Sequence, residues 1–169
     1  MAHDRFEFEM PAPCDVVFDA FHYHQWRARW DSLVSQTNVL GGAPCPSVGA
    51  ISENTGSGWM RKLSMKTRFV SYARPRIAAA TMVGDSFPFL RWSASMQHRE
   101  KNEEKSIMIY TYTFETYGKS LRWIIEPIVK CVFDWQTRRR FERLKNYLAL
   151  NKADIKQWQC SRRSESENQ

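Results

Sequence analysis

The sequence is poor in paired cysteines, in long apolar runs and in acid relative to base, and each shortage removes a class of explanation. Its four cysteines, Cys14, Cys45, Cys131 and Cys160, are far apart, with no CxxC pair and no histidine cluster beside them. Structural zinc sites draw on close ligand pairs, so none is expected. Met1-Ala2-His3-Asp4-Arg5 carries no apolar segment behind a basic head, so no secretory leader and no disulfides are expected, and the reading is cytoplasmic. Cys131 sits among apolar residues at helical spacing and reads as a small buried hydrophobe. No stretch approaches the ~20 apolar residues of a membrane-spanning helix. Chemical motifs are equally scarce. No Ser/His/Asp order, glycine-rich phosphate loop or carboxylate pair can be argued from spacing, which leaves nucleophilic and hydrolytic catalysis without support. His22 and His24 would point about 200° apart on a helix, whereas helical metal pairs use i and i+4. No metal and no cofactor is expected.

What remains is a chain of 169 residues, one domain's length. A 43% hydrophobic and 25% charged composition suits a globular core, and the 14% aromatic content demands somewhere to put large rings. Formal charge is +7. Six cations and no acid lie between Asn54 and Gly84, and a second basic run spans Lys130 to Lys145. A solvated helix end accounts for the second run; an anionic membrane surface or an acidic carrier protein is the alternative partner. Nucleic acid is disfavoured, because the aromatics fall on inward phases while the charges fall on outward ones.

Period two marks the strands. Arg5 to Met10 alternates strictly, and Pro11 and Pro13 end it. Helical spacing follows in Cys14 to Phe21, then in a short segment holding Trp26 and Trp30, with Asp15, Asp19 and Asp31 read as caps and solvated positions. Strands are expected at Leu33 to Leu40, Val48 to Asn54, Trp59 to Phe69, Ile77 to Val83, Phe89 to His98 and Ser106 to Tyr117, with His98 to Lys105 as a polar, exposed hairpin loop. After Gly118 the period lengthens to about 3.6. Pro127 fits the first turn of a long helix running to Leu150, with Ile128, Val132, Phe133, Phe141, Leu144 and Leu148 on its apolar face. Residues 1–153 form one domain, and 154–169 are expected to be a polar, flexible tail.

Several local strings add a resemblance. Phe8-Glu9-Met10-Pro11-Ala12-Pro13-Cys14-Asp15-Val16-Val17-Phe18-Asp19, Trp26 with Trp30-Asp31, Val48-Gly49, Glu126-Pro127, and Thr137 to Leu148 occur in an order that resembles the START-like superfamily, also called SRPBCC, over residues 5 to 150. The polyketide cyclase/dehydrase and lipid-transport branch is the most similar. The resemblance implies an α+β helix-grip fold: a curved antiparallel sheet of about seven strands around a long C-terminal helix, with two short helices after the first strand. It also implies an elongated cavity between sheet and helix that holds a hydrophobic small molecule, lipid-like or polyketide-like. The alternatives are a metal-free aromatase/cyclase and a protein-interaction module using the basic helix.

Inward phases then nominate the ligand-binding residues. Trp59, Met65, Trp92, Tyr110 and Tyr112 come from the sheet, and Ile128 and Val132 from the opposing helix. Arg61 falls on the same phase as Trp59. It is open between a cation that snorkels to solvent beside Gly58 and one at the cavity mouth that orients a ligand oxygen. No catalytic residue is assigned.

Overall fold

The computed structural model of the chain describes residues 1–31, 34–56, 64–118 and 122–167. Strict alternation at the start makes a strand with one buried side. In β1 (Ala2–Met10), Ala2, Phe6 and Met10 are buried while Arg5, Glu7 and Glu9 face solvent. Pro13 is the N-cap of α1 (Cys14–His22) and offers no side-chain acceptor. Glu100 supplies one from far along the chain, accepting from the Cys14 N–H at 3.2 Å, where a carboxylate also meets the positive end of the helix dipole. α2 (His24–Trp30) follows directly, with Trp26 and Trp30 buried and the Trp30 indole donating to the Ala20 carbonyl at 2.9 Å.

Six strands come next: β2 (Val34–Val39), β3 (Ile51–Gly56), β4 (Ser64–Ala73), β5 (Ile77–Met82), β6 (Phe89–Asn102) and β7 (Lys105–Thr116). Gly118, at φ +84°, turns the chain into α3 (Arg122–Glu167). The sheet order is β1-β7-β6-β5-β4-β3-β2 with every neighbour antiparallel, so β2 to β7 form a meander and β1 pairs with the last strand. Seven curved strands, two short helices after the first and a long closing helix are the expected α+β helix-grip architecture.

Register sets the side chains in rows across the sheet. Phe6, Tyr110, Met96, Ala78 and Tyr72 are successive partners across β1, β7, β6, β5 and β4. The neighbouring row is Asp4, Tyr112, Ala94, Ala80 and Phe69. Both rows carry rings on β7 and alanine on β5. Where the rings are, the core is dense: Phe6, Met10, Val16, Val17, Met108, Phe114, Phe141, Leu144 and Leu148 are buried in one cluster. Each such side chain contributes about 1.5–3 kcal/mol by leaving water. Where the alanines are, space is left.

Five expectations fail here. Instead of ending near Leu150, α3 runs 46 residues to Glu167, and 154–167 are helical. Ile155 is fully buried, Trp158 packs on Tyr23 and Trp26 at ring distances of 4.6 and 5.7 Å, and Gln159 is buried. These residues lie seven to eleven positions after Leu148, on the same helical stripe, which the polar composition around them conceals. At the other end, Pro127 is already inside the helix. The polar hairpin is also shorter than read, because β6 keeps its period through His98; that side chain shares the phase of Trp92, Ala94 and Met96 and is buried. Asp19 and Asp31 are buried as well, and Cys131 is exposed rather than buried.

Candidate functional site

The alanine gap opens into a cavity of about 210 Å³ between the sheet and α3. Ala78, Ala80, Ala94, Met65, Phe69, Trp92 and Met96 form its sheet wall, Phe21 and Phe133 its helical walls. Three alanines opposite Phe133 are the reason for the void, since none of Ala78, Ala80 and Ala94 is long enough to meet the helix.

One end is charged. Arg27 and Arg140 both line the cavity and both bind Asp31. Arg27 Nε donates to Asp31 Oδ2 at 2.9 Å, and Arg140 donates from Nε to both carboxylate oxygens at 3.2 and 3.1 Å and from Nη2 to Oδ2 at 2.5 Å. Each guanidinium also lies 5.0 Å from the centre of the Phe21 ring. Burial pushes the Asp31 carboxyl up, but Arg140 and then Arg27 more than offset it and hold it below the usual carboxylate range. Burial, with Arg140 nearby, lowers Arg27; its ordinary value is so high that it keeps its charge. Among the described residues, two guanidiniums here share one carboxylate, and the surplus charge is positive.

Neutral polar groups complete the lining. His22 is buried, and its Nδ1 lies 2.9 Å from the Phe18 carbonyl. A carbonyl can only accept, so Nδ1 carries the proton and Nε2 presents a lone pair. Burial lowers this histidine to about 3, with His98 and the two arginines adding to the effect, so it is neutral at physiological pH. Tyr110 is pushed up to about 12 by burial and keeps its hydroxyl proton. The Trp92 indole N–H is buried and has no hydrogen-bond partner among the described residues.

The structure therefore brings together three of the nominated residues, Met65, Trp92 and Tyr110. Tyr112 stands elsewhere: it is packed in the core, stacked on Phe114 at 5.6 Å, with its hydroxyl on Asp134. Ile128 and Val132 do not form the opposing wall; they are 60% and 48% exposed on the outside of α3. The stripe of Phe141, Leu144 and Leu148 sets the helix rotation; stepping back in fours reaches Arg140 from Leu144, and Phe133 and Val129 from Phe141. Trp59 and Arg61 lie outside the described residues. Sequence reasoning missed His22, Arg27 and Arg140. The available signals were the i,i+4 spacing of Arg27 and Asp31, and a lone cation at position 140 on the inward phase of an apolar helix.

No family model and no curated protein matches this sequence. Solved structures do match. The Zhui aromatase/cyclase from Streptomyces sp. R1128 is 12% identical, with a TM-score of 0.65 over 92% of this chain and 93% of that one. Norcoclaurine synthase from Thalictrum flavum is 9% identical, with a TM-score of 0.63 over 88% and 87%. The di-domain ARO/CYC BexL from the BE-7585A biosynthetic pathway is 13% identical, with a TM-score of 0.69 over 89% of this chain and 47% of that one. At such identities the likeness is one of fold, and with the strand order, the paired short helices and the closing helix it establishes that the chain has the START-like helix-grip fold.

Proposed function

We propose that the protein binds a small hydrophobic molecule bearing an anionic or strongly polar oxygen, in the cavity between the sheet and α3. The observation that carries this reading is the pairing of apolar walls with the Arg27–Asp31–Arg140 end. Apolar pockets with a few fixed polar groups are the usual form of small-molecule sites. A volume near 210 Å³ exceeds the roughly 150 Å³ that admits benzene and falls below the roughly 300–1,000 Å³ that encloses drug-sized ligands. The occupant is thus one or two rings, or a short segment of a polyketide-like or lipid-like chain.

The probe is 2-naphthoate, two rings with one carboxylate. It is expected to quench tryptophan emission through Trp92 and to raise the melting temperature as mass action requires. Naphthalene, which leaves the guanidiniums unused, is expected to bind at least about tenfold more weakly, the value of one charge-assisted bond. No quenching and no thermal shift with either probe at millimolar concentration would end the reading.

A metal-free cyclase or dehydratase is the second reading, favoured by the His22 lone pair and the guanidiniums lining one cavity. An efficient general base has a pKa near the working pH. At about 3, His22 is far too weak for that task and serves better as a hydrogen-bond acceptor, so binding is the stronger reading.

A further inference from the structure

Between Trp123 and Trp135 the solvent side of α3 is inverted. Every exposed position there holds an apolar residue or a cysteine: Trp123, Ile124, Ile128, Val132 and Trp135, with Pro127 and Cys131 among them. Trp123 is 76% exposed and Trp135 57%. At 100° per residue these positions fan over half the helix circumference, opposite the Val129–Phe133 stripe. The charged residues of the same stretch, Glu126, Lys130 and Asp134, lie half-buried toward the sheet, and Lys130 is held by Asp4 and Asp134 at 2.5 and 2.6 Å. Single exposed apolar residues are ordinary, but a contiguous set marks an interaction site.

We propose that this face docks on an anionic lipid surface, with α3 lying in the plane of the interface. Shape is the first argument. The strip is convex, one side of a single helix about 18 Å long, and an interfacial helix needs only an apolar side that enters the headgroup boundary. Placement of the rings is the second argument, because indoles at both ends with aliphatics between them suit the interfacial layer.

Charge is the third. On the same side, Arg139 follows Trp135 with its guanidinium 5.3 Å from the Trp135 ring, whereas the guanidinium of neighbouring Arg138 turns back to lie 4.5 Å from the centre of the Phe6 ring. A cation next to an apolar strip matches anionic headgroups. Glu142, one turn further on, opposes it, but the chain as a whole carries +7. Among the described residues no helix is long and apolar enough to cross a membrane, which fits a helix that lies on one. Phe133 and Gln136, on the opposite side of the same stretch, line the cavity, so docking sets the cavity wall against the bilayer. The proposal does not depend on what the cavity holds.

Co-sedimentation with extruded vesicles tests it, using phosphatidylcholine alone and phosphatidylcholine with about one-third phosphatidylserine. The native protein is expected to pellet with the anionic vesicles and to partition at least about fivefold less onto the neutral ones or in high salt. Ile128→Gln/Trp135→Gln, both at exposed sites, should keep the native melting temperature and lose about tenfold or more in partitioning. Arg139→Glu should weaken the preference for phosphatidylserine and keep the residual binding to neutral vesicles. Native protein that fails to pellet with anionic vesicles would overturn the proposal, as would a glutamine variant that binds like the native. A concentration-dependent dimer that the glutamine variant makes monomeric, without vesicle binding, would assign the face to self-association instead.

Discussion

Gln159 and Asp19 stand 140 residues apart and share a hydrogen bond in the interior, Nε2 to Oδ2 at 2.6 Å. Arg74 takes the same carboxylate from the other side, Nε to Oδ1 at 2.8 Å and Nη2 to Oδ2 at 2.7 Å. One carboxylate on α1 thus ties the β4–β5 connection to the last turns of α3. A buried acid with its oxygens filled this way is costly to disturb, because removal of a partner leaves charge without compensation.

Deleting residues after Ala153 removes Ile155, Trp158 and Gln159 together. Truncating one buried aliphatic side chain already costs about 2–5 kcal/mol. The shortened chain is expected to lose at least about 3 kcal/mol, near 6–12 °C in melting temperature for a chain of this size. Differential scanning calorimetry reads this directly; an unchanged melting temperature would show that the last turns of α3 stabilise nothing.

Acid should weaken the fold before any carboxylate is neutralised. Burial lowers His22 to about 3 and His98 to about 4, and both ring nitrogens of His98 lack partners among the described residues. In the unfolded chain both titrate near 6.5. As pH falls from that value toward 4, the unfolded state binds more protons and stability drops, by up to about 1.4 kcal/mol per pH unit for each ring. Urea denaturation at pH 7, 6 and 5 should show the decline. His98→Met should keep or raise stability at pH 7 and flatten the slope by about half; an unaltered slope would mean that His98 titrates normally.

Asp31→Asn leaves Arg27 and Arg140 facing each other with no carboxylate between them. Breaking a buried ion pair from one side costs about 3–5 kcal/mol, and chemical denaturation should report a loss in that range. Arg140→Met is the milder change, since one guanidinium and the carboxylate remain paired. It should remove the preference for 2-naphthoate over naphthalene, measured by tryptophan quenching. Retention of that preference would detach Arg140 from ligand recognition.

Ala94→Phe puts a ring between Tyr112 on one neighbouring strand and Ala80 on the other. With the cavity there to receive it, the cost should stay within about 1–3 kcal/mol while naphthoate binding disappears. Val132→Trp is the control: its side chain lies outside the cavity, so binding should be unchanged. Loss of binding in the control together with retention in Ala94→Phe would place the ligand elsewhere.

Much of this protein is written locally. Period two in residues 2–10, 89–102 and 105–116 dictates strands with Phe6, Met96 and Tyr110 inward, because alternate side chains of a strand must face opposite sides. Met65, Trp92 and Tyr110 were therefore readable as cavity residues from phase alone. The start of α3 was not, since Ile128, Val129, Val132 and Phe133 are all apolar and either side of the helix satisfies a 3.6-residue period. Only the anchoring of Phe141, Leu144 and Leu148 in the core decided that Phe133 turns in and Ile128 turns out. The same holds for the charged end of the cavity. Asp31 and Arg140 are 109 positions apart, and no spacing rule links a short helix to a distant long one. The cavity itself is an absence of atoms, made where Ala78, Ala80 and Ala94 fall into register on adjacent strands. Alternation gives each alanine its side of the sheet, but strand pairing alone puts the three side by side and leaves the gap that Phe133 does not fill.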